Sequence, residues 1–490
     1  MTPITTQLYI DGEARPAADG GTYPLNNPAR PIELVGHVAA GTVSDVDAAV
    51  EAAHRAFPSW AALSYRERAV MLNRVADLLV ADEAEVQARS QLFTREHGKI
   101  RRETMLEIAR LGDRFRQNAD YAARLAQEEH ISGPPFDTIV TRQPRGVAVL
   151  VVPWNWPLAI LGAKLPQALM AGNTVVVKPS ENAALAPTIT LHMIAAALPP
   201  GVINIVTGDS NRIGDRLTGH PLTRFVNFTG SVRIGRHVMK VAAENLTPVT
   251  LELGGNDPGI VLEDAVLDEA AFNRLYMGAF MSTGQICMAL KRLYVHRSRY
   301  DEVVAGITAV AAKQVVGDGL LPQTTMGPLN NAKQLAVVRR MIEEARASGA
   351  NVQEFGQVPD QDLYNTGYFQ RPTFVLNADP HLSVVREEQF GPVLPIMAFE
   401  TEAEVIAAAN DSEFGLCSSI WTPDRDRAIA IARQLEAGFT YINAHGPTAQ
   451  DGLSPFGGFK HSGIGRNMGF EGVTQFQGYH SISGPAGWLV

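Results

Sequence analysis

Cysteine is nearly absent from this chain. Cys287 and Cys417 are the two among 490 residues, too few for a disulfide framework or a cysteine-rich metal centre. His97, in Glu96-His97-Gly98-Lys99, has no partner at metal-ligand spacing and reads as structural, so no metal is expected. Positive charge is also short. The 42 Lys and Arg stand against 51 Asp and Glu, a net charge of −9, which denies the chain a basic footprint for nucleic acid and disfavours anionic membranes. A long apolar run is missing too. The longest, Val147 to Ile160, is interrupted by Pro153, Asn155 and Pro157 and is too broken to span a bilayer. Met1 to Leu8 has no basic segment followed by an apolar stretch, so no secretory signal is expected. With so few thiols, a reducing, cytoplasmic setting is the expectation.

What remains is a globular composition, with 46% hydrophobic and 19% charged residues, in a chain long enough for two or three domains. Val46, Ala49, Val50, Ala53 and Phe57 recur at helical spacing behind Ser44, a candidate N-cap. From Val147 onward, apolar β-branched runs (Val147–Val152, Thr174–Val177, Val202–Val206, Phe225–Phe228) alternate with helix-like segments (Leu158–Ala171, Ala183–Leu198). That alternation predicts a doubly wound parallel sheet covered on both faces. A second α/β pattern follows Gly254-Gly255, with strands at Gly259–Leu262, Arg292–Val295 and Val393–Phe399 and helices at Asn331–Ala347 and Glu402–Ala409. Arg124 to Gln143 reads as two strand-like arms around Gly133-Pro134-Pro135, outside a core.

Several segments carry chemistry, each with a plainer alternative. Cys287, in the small-residue stretch Ser282 to Ala289, is either a nucleophile toward a carbonyl carbon or a buried, inert thiol. Pro153-Trp154-Asn155-Trp156-Pro157 ends the first buried strand, where doubly wound folds bind ligands. The Asn155 amide can donate to a developing oxyanion, or the segment is a rigid turn with core tryptophans. The strand ending Lys178-Pro179-Ser180-Glu181 offers a cation and a carboxylate to a ribose, or a solvated pair. A carboxylate there favours NAD over NADP by repelling a 2′-phosphate. Gly230-Ser231-Val232-Arg233-Ile234-Gly235 opens a helix whose N-terminus suits a pyrophosphate, or is an ordinary turn. It lacks both the P-loop and the G-x-G-x-x-G pattern, and Gly463-Ile464-Gly465 follows no predicted strand. Glu252, before Leu253-Gly254-Gly255, is a candidate general base if burial raises its pKa, or a hinge carboxylate. Glu388, near Phe390, either holds ribose hydroxyls or belongs to a solvated loop. Cys417, in an apolar strand, reads as inert.

The ordered set resembles the aldehyde dehydrogenase superfamily over essentially the whole chain. It runs from Glu96-x-Gly98-Lys99 through the segments above to Pro455-Phe456-Gly457-Gly458-Phe459-Lys460-x-Ser462-Gly463-x-Gly465-Arg466. The resemblance implies a Rossmann-like cofactor domain (1–122 and 144–254), an α/β catalytic domain (255–461) and a small β oligomerisation arm with a C-terminal strand (123–143 and 472–490). It implies Cys287 as nucleophile, Asn155 and the Cys287 N–H as oxyanion donors, and Glu252 as the base that hydrolyses a thioester. It places Lys178, Ser180 and Glu181 at the adenosine ribose, and Trp154, Gly230, Ser231, Gly235 and Leu253 along the dinucleotide. Glu388 would sit at the nicotinamide ribose with Phe390 beside the ring. NAD is the implied cofactor, with NADP as the alternative. Trp156, Ala159, Ile160, Ala163 and Met281 would line the aldehyde tunnel. Ala163 stands where betaine-aldehyde types have Trp and succinic-semialdehyde types have Arg, so aromatic or medium-to-long aliphatic aldehydes are expected. Ser282 and Asn467 depart from the family's usual Asn and Glu, and neither is expected to touch the chemistry. A homodimer or homotetramer is implied, joined through Arg124–Gln143 and Thr474–Ile482. The alternatives are a CoA-acylating relative, disfavoured by Glu252, and a non-catalytic binding or structural protein.

Overall fold

The computed structural model describes residues 3–489. The predicted apolar runs form strands Val147–Val151, Thr174–Lys178, Ile203–Ile205 and Thr223–Thr229, joined by Val249–Glu252. All five run parallel. Their side chains are buried on both faces because helices cover both, which is why the sequence reads as continuous rather than alternating apolar residues. In space the order is Val249–Glu252, Thr223–Thr229, Val147–Val151, Thr174–Lys178, Ile203–Ile205. Chain order therefore reverses between Val147–Val151 and Thr223–Thr229. The carboxyl ends of those two strands open a crevice, where Trp154, Asn155, Gly230 and Ser231 follow.

Both edges of this sheet are antiparallel additions. Leu8–Ile10 pairs with Ile203–Ile205 and carries Glu13–Arg15 beyond it. On the far edge, Gly463–Ile464 pairs with Leu251 and Glu252. The Gly463-Ile464-Gly465 stretch is thus itself a short strand. Gly463 is required there, because a Cβ would stand 2.0 Å from the Leu251 carbonyl oxygen and its φ is +148°.

Two helix expectations are corrected. The first helix, Val43–Ala61, is capped by Thr42, not Ser44; Thr42 and Asp45 form a reciprocal capping box. Leu158–Ala171 is two helices, Pro157–Gly162 and Leu165–Met170. The chain leaves helical geometry at Lys164 (φ −130°, ψ −56°), and Pro166 has no N–H to continue the ladder. The break turns Lys164 into the interior.

A second sheet holds six parallel strands: Thr373–Leu376, Val393–Phe399, Leu290–His296, Asp257–Val261, Cys417–Trp421 and Phe439–Ile442. Asn351–Glu354 closes one edge antiparallel. The chain passes from the first sheet to the second through Leu253 to Asn256. There a Cβ on Gly255 would lie 2.5 Å from the Cys287 carbonyl oxygen. That contact sets the exit of one sheet against the entry of the other.

Glu129–Gly133 and Phe136–Pro144 form the expected hairpin, and Gln477–Pro485 pairs along Phe136–Pro144. The last strand begins later than Thr474, which belongs to the helix Gly469–Gln475. Ile131, Phe136, Tyr479 and Trp488 leave this three-stranded sheet with an exposed apolar surface. Among the described residues, no helix is long and apolar enough to cross a membrane.

Candidate active site

Cys287 follows a backbone segment that few sequences would adopt freely. Ser282, Thr283 and Gly284 all have positive φ (53°, 58° and 71°), a strained conformation for the first two that surrounding contacts must hold. Glu103 accepts the Ser282 N–H at 2.7 Å, and Thr283 donates to the Gly327 carbonyl at 3.0 Å. Gly284 packs so closely that a Cβ would meet the Gly391 carbonyl oxygen at 2.3 Å. Beyond the sulfur, Lys291 donates to the carbonyls of Ile286 (2.7 Å) and Cys287 (2.6 Å). The thiol is fixed from both sides.

Asn155 is positioned just as firmly. Its amide donates to the Gln285 carbonyl at 3.0 Å, which uses one of two N–H donors and leaves the other for a ligand. The helix that follows, Pro157–Gly162, is capped from a distance: Glu107 accepts the N–H groups of Leu158 and Ala159, each at 3.0 Å. Lys99 pairs with that buried carboxylate and sits 4.2 Å over the Trp156 ring. His97 is buried and donates from Nε2 to the Trp154 carbonyl at 2.9 Å.

Glu252 ends its strand with neither carboxylate oxygen bonded to protein. Burial pushes its pKa up to about 8, opposed by Lys164 and Arg466. Lys164 is pulled down to about 7 by burial, opposed by Glu252. The Lys164 ammonium donates to Asn227, whose amide donates to Asn467 at 2.7 Å. Asn467 lines the same cavity as Glu252 and Cys287. This corrects the expectation that it lies away from the chemistry. Burial drives the Cys287 thiol up to about 12, opposed by Lys291 and reinforced by the carboxylates of Glu388, Asp257 and Glu252. A thiol at that value is protonated at neutral pH and needs a base to become a nucleophile.

Cys287 stands where two cavities meet. One is a groove of about 230 Å³ lined by Trp154, Gly230, Ser231, Leu253, Glu388 and Phe390. Ser231 is the N-cap of Val232–Ala243, so the groove receives that helix's free N–H groups. Thr229 adds a buried hydroxyl without a protein partner. Glu388 accepts the Gly255 N–H at 3.1 Å, and a Cβ on Gly254 would strike it at 2.4 Å. Trp154 and Phe390 meet edge-on at 5.4 Å between ring centres. Lys178 lies at the end of its strand, 2.9 Å from the Ser210 hydroxyl and 3.3 Å from Glu181. Ser180 accepts the Asn182 N–H at 3.4 Å, beside them. Aromatic faces, a helix N-terminus and hydroxyl-binding carboxylates fit a dinucleotide. Gly235 is one turn inside the helix; a Cβ there would be 2.5 Å from Leu253, so its smallness seats the helix rather than touching a ligand.

The other cavity, about 100 Å³, runs between Trp156, Ala159, Ile160 and Ala163 on one side and Ile286, Met288, Phe456 and Met468 on the other. Four of the five expected tunnel residues line it. Met281 does not. It packs behind the wall with Trp156 and Ile286, because the positive-φ turn after it reverses the chain before the cavity is reached.

A family model for the aldehyde dehydrogenase family matches residues 15–482. The chain belongs to the aldehyde dehydrogenase family. It is 40% identical over 488 residues to geranial dehydrogenase of Castellaniella defragrans, covering 98% of this chain and 99% of the relative. It is 37% identical over 475 residues to glutarate-semialdehyde dehydrogenase of Pseudomonas putida, covering 96% of each. A crystal structure of Staphylococcus aureus betaine aldehyde dehydrogenase in complex with NAD+ superimposes with a TM-score of 0.91 at 32% identity, covering 98% of this chain and 95% of that one. The fold is the aldehyde dehydrogenase fold, and the protein is an NAD(P)-dependent aldehyde oxidoreductase.

In this aldehyde dehydrogenase, sequence reasoning missed the residues that hold the site from behind. Glu103 and Glu107 lie four residues apart on Arg101–Ala119, and both are buried. Lys164 and Asn227 are isolated polar residues in apolar surroundings, and Lys291 stands beside Arg292. An isolated polar residue in an apolar run was the available signal, and it does not name the partner.

Proposed function

We propose that this aldehyde dehydrogenase oxidises an aldehyde with an apolar body to its carboxylic acid by covalent catalysis on Cys287, followed by hydrolysis. The observation that carries the reading is the sulfur's place at the junction of the two cavities, with Glu252 and Asn155 on the same walls. The Cys287 thiol gives up its proton to water in the cavity, and the thiolate bonds to the aldehyde carbon while the carbonyl π pair moves onto oxygen. The negative oxygen of that thiohemiacetal lies within the donor set of the second Asn155 N–H and the Cys287 N–H. The groove lined by Trp154, Ser231, Glu388 and Phe390 would hold a nicotinamide dinucleotide, whose chemistry there would be to take up the hydride from this carbon. Cys287 then carries a thioester, and Glu252 takes a proton from the water that attacks it. The acid departs and the sulfur is freed.

Glu181 beside Lys178 supports NAD over NADP, since a carboxylate at the ribose opposes a 2′-phosphate. Ala159, Ile160 and Ala163 leave room for aromatic or medium-to-long aliphatic aldehydes. Glu252, with free carboxylate oxygens, supports water over CoA as acyl acceptor. The domain division at 1–122 with 144–254, 255–461, and 123–143 with 472–490 follows the two sheets and the hairpin, and the hairpin's exposed apolar residues support a homodimer or homotetramer. Two free cysteines suit a reducing, cytoplasmic setting.

Two variants test the reading. Cys287→Ser should abolish NADH formation with hexanal and benzaldehyde. Glu252→Gln should still release about one NADH per site and then stall, because hydrolysis alone is lost. Undiminished oxidation by Cys287→Ser, or acyl-CoA formed in preference to acid when CoA is added, overturns it.

A further inference from the structure

The aldehyde cavity changes chemistry along its length. Near Cys287 its wall is apolar, but Arg110 and Arg114 also line it, four residues apart on one face of Arg101–Ala119. Both heads reach the segment that carries Pro447 and Gln450. Arg110 donates to the Pro447 carbonyl at 3.1 Å, and a Cβ on Gly452 would overlap the Arg114 head.

These cations are underused. Among the described residues, Arg114 makes one side-chain hydrogen bond, to Gln117 at 2.8 Å, and Arg110 makes only the one to Pro447. Among the described residues of this helix, Arg116 has a carboxylate partner in Asp77, and neither Arg110 nor Arg114 has one. The acids around them are engaged or turned to solvent. Glu107 serves Lys99 and two backbone N–H groups. Asp451 accepts from the Leu453 N–H and the Ser454 hydroxyl, and Asp113 is exposed. Burial depresses both guanidiniums, opposed at Arg110 by Glu107 and Asp113; at Arg114 the Arg110 charge adds to the depression, while Asp113 and Asp451 oppose it. Two partly desolvated like charges, with most of their N–H donors free, are relieved by an anion between them.

We propose that Arg110 and Arg114 seat the carboxylate of an ω-carboxylated aldehyde whose apolar spacer occupies the tunnel toward Cys287. This deepens the proposed function and rests on its reading of the cavity as the aldehyde's path. The absence of an arginine at position 163 then does not exclude an acidic substrate. The guanidinium pair is supplied from a different helix.

The test compares 6-oxohexanoate and 9-oxononanoate with their methyl esters and with hexanal. The free acids should exceed their esters by roughly tenfold or more in kcat/KM, the range a bidentate, charge-assisted contact supports. Rising ionic strength should raise KM for the acids and leave the esters unmoved. Arg110→Gln with Arg114→Gln should bring the acid-to-ester ratio near one, and the Lys pair should restore part of it. If the double variant does not fold, the salt dependence of the unaltered enzyme still decides. Esters and hexanal turned over as well as the acids, with no salt effect, would overturn the anion seat and leave aldehyde oxidation standing. Turnover of none of these aldehydes would overturn both.

Discussion

Replacing Lys164 by Met removes the larger of the two cationic influences on the proposed base, the other being Arg466. Lys164 is fully buried, and Glu252 is the charged group that acts on it. Met keeps most of the stem's bulk and removes the charge. An opposite charge beside a buried carboxylate lowers its midpoint by about one to three pH units. Lys164, at about 7, is only partly protonated where Glu252, at about 8, titrates, and the two titrate as a pair. The displacement should therefore fall at the low end, about one unit or ~1.4 kcal/mol. Its sign is upward, because the lost cation favoured the ionised carboxylate. The assay is steady-state kcat from about pH 6 to 10, under conditions where a one-equivalent burst of NADH shows that hydrolysis limits. The unaltered enzyme should gain rate as Glu252 ionises near 8. In Lys164→Met the rise should come about one unit later, so the rate at pH 7.5 falls roughly eightfold while the alkaline plateau is kept. An unmoved or lowered midpoint refutes the coupling.

Asn155→Ala should slow the burst itself by about 10²- to 10³-fold, the loss typical of one oxyanion donor; an unchanged burst rate removes Asn155 from the hole. Glu181→Gln should narrow the preference for NAD over NADP, read as the ratio of kcat/KM values, and an unaltered ratio places the discrimination elsewhere. Deleting Trp488 to Val490, of which Val490 lies outside the described residues, should shift size-exclusion mass toward smaller species, because Trp488 is exposed beside the hairpin sheet; an unchanged mass counts against the arm as interface.

The parts of the fold legible in the sequence were those governed by local pattern. Val393–Phe399 is a strand at the predicted residues, and Ala332–Ala347 begins one residue after Asn331, its N-cap. Those runs carry their own period and caps. Leu158–Ala171 reads as one helical segment because its apolar pattern continues through Pro166, whose missing N–H was the local mark of the break. Thr42 outcompetes Ser44 as cap because Asp45 can answer it from N3, while Ser44 lies inside the helix. At the site, motif order marked Cys287, Glu252 and Asn155, and the structure brings all three to one cavity. Their supports were not marked in this way. Glu103 and Glu107 act on backbone groups 179 and 51 residues away, separations no local window contains, whereas Lys291 reaches back five residues to the Ile286 carbonyl.

The same reasoning gives Asn467 a meaning that its departure from the family's usual Glu alone does not. Position 467 ends a chain of polar groups, Lys164 to Asn227 to Asn467, that borders the cavity holding Glu252. A carboxylate at its far end would draw Lys164's charge away from Glu252 and hold the ammonium protonated to higher pH. With a neutral amide there, the ammonium has Glu252 as its one acidic neighbour, and its pKa comes to rest about one unit below that of the base it faces. Two groups so matched exchange a proton at little cost. On the proposed mechanism, a neutral residue at 467 leaves the cation facing the hydrolytic base instead of a structural ion pair, and the pH profile of Lys164→Met tests that coupling.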